Sequence, residues 1–390
     1  MKWEKVAIKD ICTGIYDGPH ATPPLSDTGA IFLGISNFNN GRLDFSDIRY
    51  ISEDDLPKWT KRVIPQKNDI VFSYEATLNL YAIIPEGFRG CLGRRMALLR
   101  VDETKADYKF LYYYFYSDAW RATVNENIVL GATVDRIPLI KFPDFPVELP
   151  PLETQHRIAD ILSAYDDLIE NNQKQIKLLE EAAQRLYKEW FVDLRFPGHE
   201  NMEIVDGVPE GWKKERLVDI AEIQYGYAFD GTLFNADKNG TPIIRIRNIP
   251  QAETMDYTTE HVSENYLVQN GEIIVGMDGE FHINAWAGNT AYLVQRVCCL
   301  RPKNTEIKGW LLQAIYEPIK FFERTVVGAT VAHLGKKHLD SIYLLTSPEE
   351  FYEPFKTFFD KRLLLMNQNR KLREARDRLL PKLMSGEVEV

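Results

Sequence analysis

Residues 155–190 read QHRIADILSAYDDLIENNQKQIKLLEEAAQRLYKEW, and this stretch organises the rest of the chain. Its seam positions recur at alternating steps of three and four residues, the spacing that places side chains along one stripe of an α-helix. The stripe comprises Leu162, Tyr165, Ile169, Asn172, Ile176, Leu179, Ala183, Leu186 and Trp190. Charged residues lie between the seam positions and form a solvated face: Asp166, Asp167, Glu170, Lys174, Lys177, Glu180, Glu181 and Lys188. The pattern therefore predicts one long amphipathic helix.

Helix-breaking residues flank the predicted helix at both ends, and the helix is unusually long. Pro150 and Pro151 precede it, and Phe196-Pro197-Gly198 follow it. About 36 residues at about 1.5 Å each make a rod of roughly 54 Å, whereas core helices average about 11 to 12 residues. A long helix lying on a globular core is one interpretation, and a spacer paired with a second helix is the other. We favour the spacer, in which the polar Asn172 could set the register of the pair.

The chain contains an internal duplication, which supplies the second helix. The motif LGATV at 130–134 returns as VGATV at 327–331, and short strand-like pieces follow at 140–142 and 342–344. Further matches occur in the same order: Trp3 with Trp212, 32–37 with 243–248, 68–72 with 271–275, and 99–100 with 300–301. Apolar β-forming residues between Gly, Asn and Pro predict short strands in both copies. Each copy is thus expected to be a mixed α/β domain followed by a long helix.

The second helix, at 355–384, has a less regular seam than the first. Its stripe reads Phe355, Phe358, Arg362, Leu365, Asn369, Leu372, Arg376, Leu379 and Leu383. The three polar residues interrupt it, so we expect this helix to depend on the first one for stability. Pro381 should kink or end it.

The fold class that follows is α+β, with two mixed α/β domains in tandem and two long helices that pair as an antiparallel coiled coil. The predicted segments are a first domain at 1–150, a helical spacer at 151–195, a second domain at 196–346 and a C-terminal helical spacer at 347–390.

Composition limits the possible functions. The chain has 47 Lys and Arg against 57 Asp and Glu, a net charge of −10. No segment is a basic tail, so any nucleic-acid contact must come from local patches. The four cysteines show no metal-binding spacing, and free thiols suit a reducing cytoplasm. No apolar run is long enough to cross a membrane, so we expect a cytoplasmic protein without a membrane partner.

Catalytic motifs are absent from the sequence. It has no phosphate-binding loop, no dinucleotide-binding glycine pattern and no nucleophile turn. His333 and His338 lack the spacing of a metal pair, and the Asp278/Glu280 carboxylates have no catalytic partner that the sequence identifies. We therefore expect no catalytic residue, no metal site and no cofactor in this chain.

Two loops and several basic residues are the candidate ligand contacts. The loops lie at 16–23 and 276–284 and combine glycine, aromatic and hydrogen-bonding residues, although a well-capped turn would also explain each. Strand alternation would place Arg245 and Arg247 on one face, where Arg and Asn could contact phosphates and base edges. The candidate DNA contacts are Gly18, His20, Thr22, Asn37, Arg94, Arg95, Arg245, Arg247, Asn248, Asp278, Glu280, His282 and Lys336.

In this order, the features resemble the specificity subunit of type I restriction-modification systems over essentially the whole chain. The residues that carry the resemblance lie at 17–23, 150–155, 168–173, 186–191, 225–229 and 376–386. The second copy departs from the family pattern, because Ser347-Pro348-Glu349-Glu350 replaces the Pro-Pro-Leu lead-in of the first helix.

The resemblance implies a non-catalytic subunit that recognises DNA. Each domain would recognise one half of an asymmetric, bipartite target in double-stranded DNA, and the helices would set the gap between the halves. Two modification subunits would methylate adenine with S-adenosylmethionine, and restriction subunits would use ATP and Mg²⁺. These cofactors would belong to the partner subunits.

Two rival functions remain open at the level of sequence. A stand-alone regulator with two DNA-binding domains would bind its site without a methyltransferase. A scaffold that does not bind nucleic acid would retain no DNA even with its partners present.

Overall fold

The computed structural model describes residues 3–129, 134–325 and 332–390. The chain divides into two compact units. Unit 1 comprises Met1–Asp167 with Arg373–Val390, and unit 2 comprises Leu168–Leu372. The boundary falls inside each long helix, so each unit contains part of both. The predicted division into four segments stays a prediction, and the repeated motif at 130–134 and 327–331 lies outside the described residues except for Val134.

Unit 1 is a mixed α/β domain. Its strands are β1 (Glu4–Ala7), β2 (Cys12–Asp17), β3 (Ala30–Leu33), β4 (Phe38–Asn39), β5 (Arg42–Leu43), β6 (Tyr50–Ile51), β7 (Ile70–Ser73), β8 (Tyr81–Ile83), β9 (Gly90–Leu92), β10 (Met96–Val101) and β11 (Pro146–Leu149). Its helices are α1 (Leu56–Trp59), α2 (Tyr108–Tyr114), α3 (Asp118–Asn127) and the first part of α4 (Leu152–Tyr187). Trp120 and Phe142 are among the largest fully buried side chains of its core.

Unit 2 is also a mixed α/β domain. Its strands are β12 (Ile204–Val205), β13 (Val208–Pro209), β14 (Lys213–Arg216), β15 (Ala221–Tyr225), β16 (Phe234–Asn235), β17 (Thr241–Ile244), β18 (Tyr257–Thr258), β19 (Leu267–Val268), β20 (Ile273–Gly276), β21 (Ile283–Ala285), β22 (Ala291–Leu293), β23 (Val297–Pro302) and β24 (Tyr343–Thr346). Its helices are the second part of α4, α5 (Leu217–Ile220), α6 (Lys308–Ala314), α7 (Tyr316–Thr325), α8 (Lys336–Asp340) and most of α9 (Glu353–Met384).

The two units have the same sheet topology. The order β2-β10-β7-β8 in unit 1 is matched by β15-β23-β20-β21 in unit 2, with antiparallel pairs in both. A parallel pair also recurs, β3 with β9 and β17 with β22. A terminal pair, β1 with β11 and β14 with β24, completes each unit. The prediction of two tandem α+β domains is therefore confirmed.

Individual side chains show that the predicted repeat register is correct. Arg100 donates from Nε to Asp69 at 2.9 Å, and the matched Arg301 donates from Nε to Glu272 at 2.6 Å. One detail of the prediction is wrong. Residues 140–142 are not a strand, because Ile140 is exposed and Phe142 begins a short 3-10 helix. The strand lies at β11 instead, which keeps the offset of 197 residues to β24 (343 − 146 = 197).

The two long helices match the predicted positions closely. Helix α4 spans Leu152–Tyr187 and continues into a π-helical turn at Lys188–Val192. Helix α9 spans Glu353–Met384 and contains Pro381 in its last turn. Pro381 therefore lies three residues before the end of the helix rather than at it. A proline this close to the C-terminus disrupts few of the hydrogen bonds that a helix interior needs.

Burial follows the predicted seam of both helices. In α4, Leu162, Ile169, Asn172 and Ala183 are buried, and the other seam residues are partly buried. Leucines off the seam, Leu168 and Leu178, are 52% and 64% exposed. The same holds in α9, where Leu365 is buried and both Leu372 and Leu379 are partly buried. The period of the sequence thus identifies the packed face of each helix.

The polar residues that interrupt the α9 seam have polar partners on α4. Arg376 forms an ion pair with Asp166 in unit 1. In unit 2, Asn172 donates to Asn369 at 2.9 Å and Arg362 donates to Glu180 at 2.7 Å. We call these three pairs the polar ladder. Residues later in α4 pair with residues earlier in α9, so the contacts are antiparallel. Knobs-into-holes packing of the seam stays a prediction.

Candidate nucleic-acid interface

In each unit, several loops meet at one edge of the four-stranded sheet. In unit 1, Asp17 at the end of β2 pairs with Ala97, and Ser73 at the end of β7 pairs with Met96 at the start of β10. In unit 2, Tyr225 pairs with Cys298 and Gly276 pairs with Val297. We call this side the loop edge of each unit. Both predicted loops, at 16–23 and 276–284, begin there, although they follow non-equivalent strands.

Gly18, His20 and Thr22 belong to the loop after β2. The Gly18 N–H donates to Met96 O at 2.8 Å, and a Cβ on Gly18 would lie 2.4 Å from Gly93 O. Glycine is thus required there for close backbone packing. His20 is exposed, with Nε2 2.9 Å from the Asp17 carboxylate. Thr22 is exposed as well.

A basic cleft lies beside this loop. It has a volume of about 360 Å³ and is lined by Pro19, His20, Ala21, Lys58, Trp59, Lys61 and Arg62. Arg62 is held by Asp17 at 2.5 Å. Lysine and arginine side chains around an aromatic ring suit a polyanion that also presents flat bases. The residues from α1 and the loop after it were not predicted from the sequence, because no short-range pattern relates them to His20.

A protonated tyrosine contributes to the same surface. Burial raises the pKa of Tyr74, and the nearby Asp17 and Glu75 carboxylates raise it further. The hydroxyl therefore keeps its proton at neutral pH, and its oxygen lies 3.5 Å from His20 Nδ1. The loop edge of unit 1 thus has hydrogen-bond donors and acceptors held in place by neighbouring side chains.

Arg94 and Arg95 form the turn between β9 and β10. Arg94 is exposed, and within the described residues it has no ion-pair partner. Arg95 has a left-handed backbone, with φ of 73°, and its Nε lies 3.0 Å from Glu75. Both arginines therefore lie at the loop edge with His20.

Arg245 and Arg247 do not share a strand face, so that prediction is wrong. Strand β17 ends at Ile244, and Ile246–Asn248 is a 3-10 helix. The Arg245 guanidinium lies 5.6 Å from the Phe234 ring centre. Arg247 pairs with Asp256. The alternation of apolar and basic residues is typical of a strand, but here the strand ends just before Arg245 and a 3-10 helix follows.

Asn37 and Asn248 have an equivalent structural role in the two units. The Asn37 Oδ1 accepts from the Gly34 N–H at 2.9 Å, and the Asn248 Oδ1 accepts from the Arg245 N–H at 2.8 Å. Asn37 is buried and its amide group also donates to the carbonyls of Asp44 and Asp47. Its side chain is therefore already occupied by backbone groups, and its contact with DNA stays a prediction. The Asn248 amide group lies 3.3 Å from Asp256 and is similarly occupied.

Asp278, Glu280 and His282 follow β20 at the loop edge of unit 2. Asp278 accepts from Arg296 at 2.7 Å and from His333 Nδ1 at 2.6 Å. Because a carboxylate only accepts, His333 Nδ1 carries the proton in that contact. Glu280 lies 3.5 Å from His282. Lys336 is exposed at the start of α8.

His333 is not among the residues that the sequence predicts to contact DNA, and its spacing to His338 does not suit a metal pair. Its actual partner, Asp278, lies 55 positions away (333 − 278 = 55), so no local spacing relates the two residues. His338 stacks on Phe322 at 4.9 Å between ring centres. Within the described residues, no group of three or more His, Cys, Asp or Glu side chains could hold a metal ion. No helix in those parts is long and apolar enough to cross a membrane.

Comparison with known proteins identifies the family. A family model described as "Type I restriction modification DNA specificity domain" matches residues 1–181 and 209–350, most of the chain. The chain belongs to the family of type I restriction-modification specificity subunits.

Relatives of this specificity subunit include the type I restriction enzyme MjaIX specificity subunit of Methanocaldococcus jannaschii, which is 25% identical over 88% of this chain and 82% of the relative. The EcoBI specificity subunit of Escherichia coli is 29% identical over 38% of this chain and 32% of the relative. The fold is also similar to that of the crystal structure of an S subunit from M. genitalium. That match has a TM-score of 0.56 and 17% identity, and it covers 98% of this chain and 96% of the other.

Proposed function

We propose that this specificity subunit recognises double-stranded DNA with the loop edges of its two units, one half-site per unit, and has no catalytic step of its own. The observation that supports this most directly is the recurrence of one sheet topology with different side chains at the equivalent edge. At equivalent positions of the repeat, unit 1 presents Glu75 and Arg136, whereas unit 2 presents Asp278 and His333. Unlike side chains at equivalent positions favour an asymmetric, bipartite target.

The long helices suit the role of a spacer between the two half-sites. Helix α4 has 36 residues, which at about 1.5 Å each span roughly 54 Å. Half-sites one DNA turn apart need contacts about 34 to 36 Å apart. The exposed faces of α4 and α9 would dock two modification subunits, and restriction subunits would join that complex.

Cofactors belong to those partners in this proposal. The modification subunits would bind S-adenosylmethionine and methylate adenine, and the restriction subunits would use ATP and Mg²⁺. This chain would contribute the position of the target relative to the methyltransferase. An acidic chain can serve in such a complex if its partners supply the phosphate contacts that dominate affinity.

Methylation-sensitive sequencing tests the proposal. The gene is expressed together with a modification subunit from the same system in a host that lacks other adenine methyltransferases. We expect one bipartite motif with two unlike halves and a fixed gap, methylated only when both proteins are present. A symmetric motif would contradict the half-site assignment. Specific DNA binding without any adenine methylation would favour a stand-alone regulator instead.

A further inference from the structure

At the loop edge of each unit, an acidic residue lies between two basic ones. The group is Glu75 with Arg95 and Arg136 in unit 1, and Asp278 with Arg296 and His333 in unit 2. We call each group a trio. We propose that the trios are the base-contacting groups of their units, with Arg95 and Arg296 at base edges; this rests on the proposed function.

The two trios are built on the same backbone connections. An isolated β-bridge joins Glu75 to Arg136, and another joins Asp278 to His333. In the sequence, Arg136 and His333 each follow a G-A-T-V motif by two residues.

Neighbouring hydrogen bonds repeat as well. The Ile137 N–H donates to Tyr74 O at 2.8 Å, and the Leu334 N–H donates to Met277 O at 2.7 Å. The Ala76 N–H donates to Asp135 O at 3.1 Å, and the Gly279 N–H donates to Ala332 O at 3.0 Å. The trios are therefore equivalent positions of the duplication rather than two chance clusters.

Arg95 and Arg296, the equivalent arginines of the two trios, have an unfavourable backbone conformation. Arg95 has φ of 73° and Arg296 has φ of 74°. A side chain with a Cβ rarely adopts this region, and glycine is the residue that suits it. Strained positions of this kind concentrate at functional sites. Retention of arginine at both copies, where glycine would fit the turn better, points to a use for the guanidinium group.

The carboxylate in each trio favours a base edge over a phosphate as the ligand. Glu75 lies 3.0 Å from Arg95, and Asp278 lies 2.7 Å from Arg296. The hydrogen bond to Asp278 orients the planar guanidinium of Arg296, and the carboxylate of either trio repels a phosphate. Arginine recognises guanine O6 and N7 in the major groove, and a carboxylate can accept from cytosine N4. An acid–arginine pair thus suits the edge of a G·C pair.

The third member differs between the units. Arg136 is exposed, and its side chain has no partner among the described residues, whereas His333 is held by Asp278 at 2.6 Å. A free guanidinium and a fixed imidazole present different hydrogen-bonding groups. The trios therefore predict different preferences in the two half-sites.

Glycine substitutions separate recognition from folding. The full complex with modification subunits is assembled with Arg95→Gly or Arg296→Gly, and binding is measured on duplexes in which one half-site at a time is altered. We expect the ratio of affinities for the unaltered and the altered duplex to fall by about tenfold at one half-site only. The affected half-site should differ between the two variants. The unfolding temperature should not fall, because glycine relieves the left-handed strain.

Further variants control for charge and folding. Arg296→Lys keeps the positive charge but loses the planar guanidinium. It should therefore reduce discrimination at the same half-site as Arg296→Gly. Arg89→Gln in unit 1 and Arg216→Gln in unit 2 each remove an exposed arginine that pairs with an acid, Glu53 and Asp219 respectively. Both control variants should keep wild-type discrimination at both half-sites.

The outcomes distinguish this inference from the proposed function. If the wild-type complex methylates a bipartite motif but the glycine variants keep full discrimination, the trios do not contact bases. An equal loss of affinity for specific and scrambled DNA would instead indicate phosphate contact and would also overturn the inference. If the wild-type complex shows no bipartite motif, the proposed function fails and the inference fails with it.

Discussion

A single carboxylate, Asp166, connects the long helices to the α/β part of unit 1. It is buried, accepts from the Tyr113 hydroxyl at 2.6 Å and forms an ion pair with Arg376. Its backbone carbonyl also accepts from Arg42 at 2.7 Å. Burial raises the pKa of Tyr113, and the Asp166 charge raises it further, so the phenol remains a donor. The Asp166 side chain thus contacts α2 and α9, and its backbone carbonyl contacts β5.

Asp166→Asn should destabilise unit 1. The substitution leaves Arg376 without its buried counter-charge, and removing one partner of such a pair costs about 3 kcal/mol. Because Arg376 is partly exposed, we expect a decrease of about 2 kcal/mol in the free energy of unfolding. Urea denaturation followed by circular dichroism measures it.

Asp377→Asn is the matched control. Asp377 pairs with the same arginine at 2.8 Å, but its side chain is 63% exposed. Exposed ion pairs contribute about 0–1 kcal/mol, so this variant should unfold close to the wild-type urea concentration. Equal decreases in the free energy of unfolding for the two variants would show that the burial of Asp166 is not the reason for its contribution to stability.

At the level of elements, the polar ladder explains why a seam with three polar residues can still pack. Each of the three polar seam residues of α9 contacts a polar partner on α4, while the seam leucines between them are buried or partly buried. A buried polar pair stabilises less than an apolar pair but penalises any slip that separates the partners. The ladder thus favours one register of the two helices.

The Asn172–Asn369 pair tests this idea. Asn369→Leu should lower the free energy of unfolding by about 1–3 kcal/mol, because the buried Asn172 amide loses its acceptor. Asn172→Leu combined with Asn369→Leu should recover most of that loss, since two leucines form an ordinary seam contact. A double-mutant cycle from urea unfolding gives the coupling free energy.

Gln184→Leu provides the control for this cycle. Gln184 lies on the exposed face of α4, and surface changes of this kind alter stability by about 0.5 kcal/mol or less. If the double variant were as unstable as the single one, the amide pair would not be the reason for the loss.

At the scale of the whole molecule, the helices should determine the gap in the DNA target. Seven residues inserted into α4 between Asn172 and Glu180, with seven inserted into α9 between Arg362 and Asn369, keep the seam and the ladder in phase. They add about 10.5 Å of helix at about 1.5 Å per residue, or about three base pairs at roughly 3.4 Å each. Methylation-sensitive sequencing should find both half-sites unchanged and the gap longer.

An insertion into α4 alone provides the comparison. It shifts half of the ladder relative to α9, so we expect weaker assembly and reduced methylation rather than a clean new gap. Changed half-sites with an unchanged gap, after the paired insertion, would show that the helices are not the spacer.

The isolated chain should bind DNA weakly and with a shallow dependence on salt. Its net charge is −10, and each phosphate contact adds about one unit to the slope of log affinity against log salt. Fluorescence anisotropy between about 50 and 200 mM salt, with and without modification subunits, measures that slope. Tight, steeply salt-dependent binding by the chain alone would contradict this prediction.

The helical part of the molecule was predictable because its signal is periodic. Ile169 and Leu365 are buried where the heptad spacing puts them, and the exposed Leu178 lies off the seam. The candidate interface was less predictable. Asn37 and Arg247 have residue types that suit DNA, yet one caps a turn and the other pairs with Asp256. Sequence shows which groups are available but not which neighbours already occupy them.

The sequence by itself determined the duplication, the two long helices and the packed face of each, because these follow from comparing the chain with itself and from the period of an α-helix. The tertiary structure alone decided which polar groups meet. Arg296 and His333 both reach Asp278, and Arg376 reaches Asp166, through strand register and helix pairing. These partners lie far apart along the chain, so no local pattern could relate them before the fold brought them together.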